Sequence, residues 1–180
     1  VNNMSEELEL FRENVRRFVQ EEVAPNYLQW EKDGIFPRHL WSKLGEQGLL
    51  AVDIPEEYEG AGADFLFSMV IQEEFSKANG AAVGGPMAVH SDIVSHYILN
   101  YGTQSQKQTY LPQMVSGDCI GAVAMTEPGT GSDLQGIRTN AKRDGDDYVI
   151  NGSKTFITNG QHCDLIIVVA RTNLDVPGAK

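Results

Sequence analysis

The sequence has few cysteines and no long apolar run. Its 180 residues include two cysteines, Cys119 and Cys163, and neither lies in a CxxC pair or beside histidines at zinc-ligand spacing. Two such cysteines are too few for a disulfide scaffold, so small buried side chains are the simpler interpretation. No apolar stretch approaches the roughly 20 residues that a membrane-spanning helix needs, and Val1 to Glu7 lack the basic and apolar regions of a signal peptide. We therefore expect no membrane insertion and no secretion.

Basic residues are also scarce. Lys and Arg number 14 against 25 Asp and Glu, which gives a net charge of -11. Because nucleic-acid backbones are bound by clustered basic side chains, this balance excludes a broad nucleic-acid interface. The histidines share no metal-ligand spacing, so we expect no metal site. They are His39, His90, His96 and His162.

The first part of the chain carries the apolar periodicity of helices. Apolar residues recur at three- and four-residue steps from Ser5 to about Gln20, and Pro25 follows where a helix ends. After Pro37 a shorter helix is predicted, which Gly48 is placed to end. Residues 55–62 are predicted to form a loop. Further helices are predicted from Phe67 to Ala78, from Met87 to Tyr101, and after a capping box of Thr103 and Gln106.

After Gly117 the pattern changes to short β-rich runs separated by turn residues. Helices followed by strands predict an α+β fold, with an all-helical domain over residues 1–117 and an antiparallel β domain over residues 118–180. Asp144-Gly145-Asp146 and Asn151-Gly152 are tight-turn signals, and the second is the favoured pair for a two-residue hairpin. Four strands leave open sheet edges, which natural sheets usually cover, so we expect the β domain to be truncated. The predicted strands are Ile120 to Met125, Tyr148 to Ile150, Thr155 to Thr158 and Leu165 to Ala170, followed by a loop from Asn173 to Lys180.

The stretch from Ala124 to Asp133, AMTEPGTGSD, joins a predicted strand to a glycine-rich turn that carries hydroxyl side chains. Glycines let the backbone approach a ligand closely, and exposed amides and hydroxyls can bind a phosphate or a polar heterocycle. The spacing matches neither the Walker loop nor the dinucleotide-binding fingerprint. On periodicity alone a structural turn is the simpler interpretation, and a ligand site is the alternative.

Two blocks of sequence resemble the flavin-facing strands of the acyl-CoA dehydrogenase family. They are Met125 to Thr139, MTEPGTGSDLQGIRT, and Asn151 to Gly160, NGSKTFITNG, in the order and spacing of that family. The helical part resembles it too, through Val15 to Phe18 and Leu49 to Gly62, so that the likeness covers nearly the whole chain and is nearest to the long-chain branch. The resemblance implies a helical amino-terminal domain, part of a middle β domain, and the absence of a carboxyl-terminal helical domain.

The resemblance also implies which residues bind FAD and acyl-CoA. Thr126 contacts the pyrimidine side of the flavin, Thr158 lies near the flavin N5, and Ser132 contacts both cofactor and substrate. Phe156 stands where Trp is common in the family, and aromatic stacking would survive that exchange. As alternatives, Val123, Met125 and Phe156 are core residues, and Glu127 has a structural or solvated role. The implied cofactor residues are Val123, Met125, Thr126, Ser132, Phe156, Ile157 and Thr158, and the implied substrate residues are Ser132, Met87, His90, Ser91 and Val94.

The implied activity is α,β-dehydrogenation of a fatty acyl-CoA thioester, with electrons passed to an electron-transfer flavoprotein. The base glutamate is expected beyond residue 180, so no catalytic residue is assigned and the isolated fragment is expected to be inactive and to bind FAD weakly at best. A homo-oligomer, tetramer or dimer, is implied for a full-length protein, in the bacterial cytoplasm or, as the alternative, the mitochondrial matrix. Other hypotheses are a noncatalytic acyl-CoA or protein-binding module and an oxidase or nitroalkane-oxidising relative.

Overall fold

A computed structural model describes residues 6–173, so the predicted loop beyond Asn173 lies outside the described residues. Helices occupy the first part and short strands the second, which confirms the predicted order. The helices are α1 (Glu6–Phe18), α2 (Tyr27–Asp33), α3 (His39–Glu46), α4 (Phe65–Lys77), α5 (Ala81–Ala88), α6 (Ser95–Tyr101) and α7 (Gln104–Ser116). The strands are β1 (Gly121–Ala124), β2 (Asn140–Asp144), β3 (Asp147–Asn151) and β4 (Leu165–Val168).

Most helices follow their sequence signals. Thr103 and Gln106 form the predicted reciprocal capping box at the start of α7. The predicted helix from Met87 begins earlier, at Ala81, and contains a π-helical segment, Val89–Val94, between α5 and α6. A second π-helical segment, Val19–Val23, continues α1. The short helix α2 was not predicted, because it has no fully buried residue: Trp30 packs against the core only in part, and Leu28 is exposed.

The largest cluster of buried apolar side chains lies under the helices and extends to the residue before the first strand. Trp41, Leu44 and Phe75 are fully buried in it, and Ile120, just before β1, belongs to the same cluster. The loop between α3 and α4 contains a short 3-10 turn, Glu56–Tyr58. In the part of the chain that the structure describes, no helix is both long enough and apolar enough to cross a membrane.

The strands form two pairs. β2 and β3 form an antiparallel hairpin, in which β3 contains the predicted strand Tyr148 to Ile150 and β2 was not predicted. Unlike the predicted antiparallel arrangement, β1 and β4 pair in parallel, from Gly121 opposite Leu165 to Ala124 opposite Val168. A parallel pair requires a long crossover, and here the hairpin and the residues after it provide that connection.

Two details of the predicted strands are wrong. The hairpin turns at Gly145, not at Asn151-Gly152, because Asn151 is paired with Asn140 at the end of β3. A Cβ atom on Gly152 would lie 2.2 Å from Thr139 Oγ1, so this glycine permits a close approach rather than a turn. The predicted strand Thr155 to Thr158 is irregular, and Phe156 has a left-handed φ of 55°, which a strand does not accommodate.

Candidate functional site

Residues 125–127 and 154–158 lie side by side, and we call them the paired segments. The amide of Thr155 donates to the carbonyl oxygen of Thr126 at 3.0 Å. The Lys154 ammonium donates to the carbonyl oxygen of Met125 at 2.8 Å. The fold therefore brings together the two sequence blocks on which the ligand-site hypothesis rests, although 27 residues separate Glu127 from Lys154.

Glu127 holds the paired segments to the residues before β2. One carboxylate oxygen accepts from the amide of Arg138 at 2.7 Å, and the other accepts from the amide of Thr139 and from Lys154, both at 2.9 Å. The Thr139 side chain, the amides of Arg138 and Thr139, and Lys154 lower the pKa of Glu127 to about 2, although burial opposes this shift. A buried carboxylate with these partners stays ionised and has a structural role, which is one of the two roles, structural or solvated, that the sequence left open.

The second paired segment presents an aromatic ring and a hydroxyl to solvent. Phe156 is 92% exposed, Thr158 is exposed, and Ile157 between them is partly buried. Ile157 lines a cleft of about 450 Å³ that also contains Trp30 and Phe36. An exposed phenylalanine held by left-handed backbone is unusual, and such geometry is typical of functional sites.

The glycine-rich turn lies open beside the first paired segment. Glu127 and Thr130 exchange backbone hydrogen bonds at 2.9 and 3.0 Å, which closes the turn, and Ser132 follows in the exposed part. A Cβ atom added to Gly129 or Gly131 would meet no atom within 4 Å, so nothing in the described structure fills the space above the turn. Open backbone, hydroxyls and a free aromatic ring fit a flat polar heterocycle with phosphates, such as FAD.

Val123 and Met125 are partly buried, in agreement with either interpretation made from the sequence. Val123 packs against the cluster of Val94, Met114 and Cys119, so part of its surface belongs to the core. Cys119 is a free buried thiol whose pKa burial raises, and Cys163 is also free. Among residues 6–173, no group of three or more His, Cys, Asp or Glu side chains is arranged to hold a metal ion.

The residues predicted to border the acyl chain are buried on α5 and the π-helical segment. Met87 and Val94 are core residues, and the hydroxyl of Ser91 accepts from the amide of Ala51 at 2.9 Å. His90 is fully buried between Met114 and β1. Burial lowers the pKa of His90 to about 4, against the opposing effect of the Met114 carbonyl. Their contact with an acyl chain stays a prediction.

Three residues that position the site were not singled out from the sequence. Lys154 and Asn159 lie inside the second block that resembles the family. A cationic and an amide side chain within a β-rich run could have indicated a positioning role for these two residues. Arg38 donates to the carbonyl oxygen of His162 and to Asp164, each at 2.6 Å. No local pattern marks Arg38, because its partners are 124 and 126 residues away.

Comparisons with known proteins agree with this geometry. The family model of the acyl-CoA dehydrogenase N-terminal domain matches residues 5–118, and that of the middle domain matches residues 122–179. The mouse mitochondrial long-chain specific acyl-CoA dehydrogenase is 55% identical over 94% of this chain, which covers 39% of that protein.

Solved structures of the same family share the fold. The acyl-CoA dehydrogenase of Geobacillus kaustophilus superposes with a TM-score of 0.93 at 48% identity, over 97% of this chain and 46% of that one. A Mycobacterium smegmatis glutaryl-CoA dehydrogenase in complex with FADH2 superposes with a TM-score of 0.88 at 30% identity, over 93% and 43% of the two chains. The chain spans less than half the length of these relatives. It belongs to the acyl-CoA dehydrogenase family.

Proposed function

We propose that this chain is the amino-terminal helical domain, residues 1–117, and part of the middle β domain, residues 118–180, of an FAD-dependent enzyme that α,β-dehydrogenates fatty acyl-CoA thioesters. The observation that supports it is the junction of the paired segments, which places Thr126 beside Thr155 and leaves the Phe156 ring exposed. Electrons would pass to an electron-transfer flavoprotein. The site would lie in the bacterial cytoplasm or in the mitochondrial matrix, and the mouse relative is a mitochondrial protein.

In this proposal the paired segments bind and orient the flavin. Thr126 and Thr158 supply hydroxyls, Phe156 supplies an aromatic face, and Ser132 reaches cofactor and substrate from the open turn. When bound, FAD supplies the hydride acceptor, which no protein side chain can provide. Lys154 and Glu127 keep the two segments in register.

The base that removes the α-proton is proposed to lie beyond residue 180. Glu127 is the carboxylate within the paired segments, but its oxygens accept from two amides and from Lys154. The pKa of Glu127 is lowered to about 2, and the Thr139 side chain makes the largest contribution to this shift. A general base works best with a pKa near the operating pH and with a lone pair free to reach the proton, so Glu127 suits neither requirement.

The test compares the 180-residue chain with a fusion of the chain to the remaining part of the Geobacillus kaustophilus enzyme. We expect the short chain to stay colourless and inactive after addition of FAD. The fusion is expected to purify with the visible absorbance of bound flavin and to oxidise palmitoyl-CoA with an artificial electron acceptor. Thr158→Ala in the fusion is expected to weaken flavin binding, whereas Thr109→Ala, on an exposed position of α7, serves as the matched control.

Other outcomes would redirect the proposal. A fusion that folds but purifies without flavin would contradict the proposal that the site binds FAD. Release of hydrogen peroxide from a yellow fusion would favour an oxidase. Binding of acyl-CoA to the flavin-free short chain would favour a noncatalytic binding module.

A further inference from the structure

The first residue of β1 has its backbone groups bonded to side chains rather than to a strand. The carbonyl oxygen of Ile120, just before β1, accepts from the amides of Asp164 and Leu165 at the start of β4, and that of Ala124 accepts from the amide of Val169 just after β4. Gly121 between them points its N–H and C=O to the opposite edge, because alternate residues of a strand bond to opposite sides. An unpaired edge of this kind needs other partners when it is buried.

Two side chains satisfy both groups of Gly121. The Gly121 amide donates to Nδ1 of His90 at 3.0 Å, and the Gly121 carbonyl oxygen accepts from Nδ2 of Asn159 at 3.0 Å. Since His90 Nδ1 accepts, the proton of the neutral ring is on Nε2, which donates to the Met114 carbonyl oxygen at 2.9 Å. We call His90, Gly121 and Asn159 the clasp.

Asn159 extends the clasp to the helical domain. Its Nδ2 also donates to the carbonyl oxygen of Pro86 on α5 at 3.0 Å. Its own backbone has a φ of 66°, a left-handed conformation that Asn tolerates better than most residues. The second paired segment is therefore fixed at both ends, by Thr155 on Thr126 and by Asn159 on β1 and α5.

Close packing leaves the clasp little freedom. A Cβ atom on Gly121 would lie 2.7 Å from Cγ1 of Val94, so the π-helical segment and β1 are in direct contact. Dense interiors transmit displacements between contacting elements. A displacement of Thr158 would therefore also displace α5 and the π-helical segment.

We propose that Asn159 is a positioning residue. Its carboxamide couples the Phe156–Thr158 segment to β1 and to α5, the helix that contains Met87. This coupling would link the residues proposed to contact the flavin to those proposed to contact the acyl chain. That part of the inference rests on the proposed function. The clasp itself is a property of the chain alone.

The test uses the isotope-labelled 180-residue chain and nuclear magnetic resonance. Asn159→Gly keeps the left-handed backbone and removes the carboxamide. Asn159→Asp keeps the shape and replaces the donor by an acceptor, and Asn100→Asp, on an exposed position of α6, controls for the added charge. We expect the carbonyl ¹³C signals of both Pro86 and Gly121 to shift in the two Asn159 variants and to stay unchanged in Asn100→Asp.

Acid should partly restore the clasp in Asn159→Asp. A protonated carboxyl regains one O–H donor, so one of the two carbonyl signals is expected to return towards its wild-type position as the pH falls through the pKa of the new aspartate. Asn159→Gly has no such group and shows no recovery. A general loss of structure would not produce this difference between the two variants.

Amide hydrogen exchange measures the coupling. In Asn159→Gly we expect exchange about tenfold faster both in residues 156–160 and in residues 87–91, the factor expected for loss of one or two hydrogen bonds. Faster exchange in residues 156–160 alone would overturn the coupling, and unchanged carbonyl signals would overturn the clasp. Purification of the fusion described under the proposed function separates the two proposals, because a folded fusion without flavin would count against the flavin site while leaving the clasp result from the 180-residue chain intact.

Discussion

Glu74 on α4 is a buried carboxylate that joins the first and fourth helices. It accepts from Arg12 at 2.8 Å, from Arg16 at 2.9 Å and from Lys77 at 3.1 Å. Burial alone raises the pKa of Glu74, but the hydrogen bonds from Arg16, Arg12 and Lys77 outweigh it and lower the pKa to about 2. The neighbouring Glu73 contacts Arg12 and Lys77 as well, but it is half-exposed.

Glu74→Gln is expected to lower the free energy of unfolding by about 3 kcal/mol, near the lower end for a broken buried pair, because half-exposed Arg16 and Lys77 can regain water. A carboxylate whose pKa is lowered by folding stabilises the fold fully above its ordinary pKa of 4.5 and loses that contribution as the pH falls towards 2. The difference between wild type and variant should therefore shrink over that range in urea denaturation. Glu73→Gln is the control, with an expected loss below about 1 kcal/mol. Equal losses for both variants would contradict the special role of Glu74.

Residues of the candidate site could be proposed from the sequence only where local sequence carries their chemistry, and their binding roles stay predictions. Thr126, Ser132 and Thr158 stand in two hydroxyl-rich blocks, and the structure brings Thr126 next to the block that contains Thr158. The structural role of Glu127 depends on two amides 11 and 12 residues away and on Lys154. Those distances in sequence have no fixed period, so no pattern rule identifies the partners.

At the scale of elements, the capping box of α7 gives a local signal that the structure confirms. The Thr103 hydroxyl accepts from the amide of Gln106, and the Gln106 side chain accepts from the amide of Thr103. Thr103→Ala is expected to lower the free energy of unfolding by about 1 kcal/mol, because an amide at the helix start loses its acceptor. Thr109→Ala within α7 should be neutral or slightly stabilising, since Ala has the higher helix propensity. Thermal unfolding followed by circular dichroism measures both, and a neutral Thr103→Ala would mean that the cap contributes nothing.

Two local predictions about the strands failed where distant contacts decide the backbone path. The Asn151-Gly152 pair favours a hairpin turn, but Gly152 is needed for its approach to Thr139. The β-rich run from Thr155 to Thr158 favours a strand, but Asn159 and Thr155 hold it in an irregular path. In both places tertiary contacts override a local preference of about 1 kcal/mol or less.

In the whole molecule, the helical and strand regions are joined by a buried side chain and by a half-exposed ion pair. Ile120 is fully buried in the helical core cluster. The Arg38 side chain donates to Asp164, whose carboxylate also accepts from the amide of Ile120 at 2.9 Å. These contacts predict that residues 6–173 unfold as one cooperative unit.

Ile120→Ala tests this cooperativity, because it removes a side chain that lies at the start of β1 but packs in the helical core. The expected loss in free energy of unfolding is about 2–5 kcal/mol, the range for truncation of a buried Ile. Trp41 fluorescence reports on the helical region and amide exchange in β1 reports on the strands, and both should give the same loss. Ile166→Ala on β4 is the control, since Ile166 is 42% exposed and its loss should stay below about 1 kcal/mol. If Ile120→Ala speeds exchange in the strands but leaves the Trp41 transition unchanged, the two regions fold independently and the shared core does not join them.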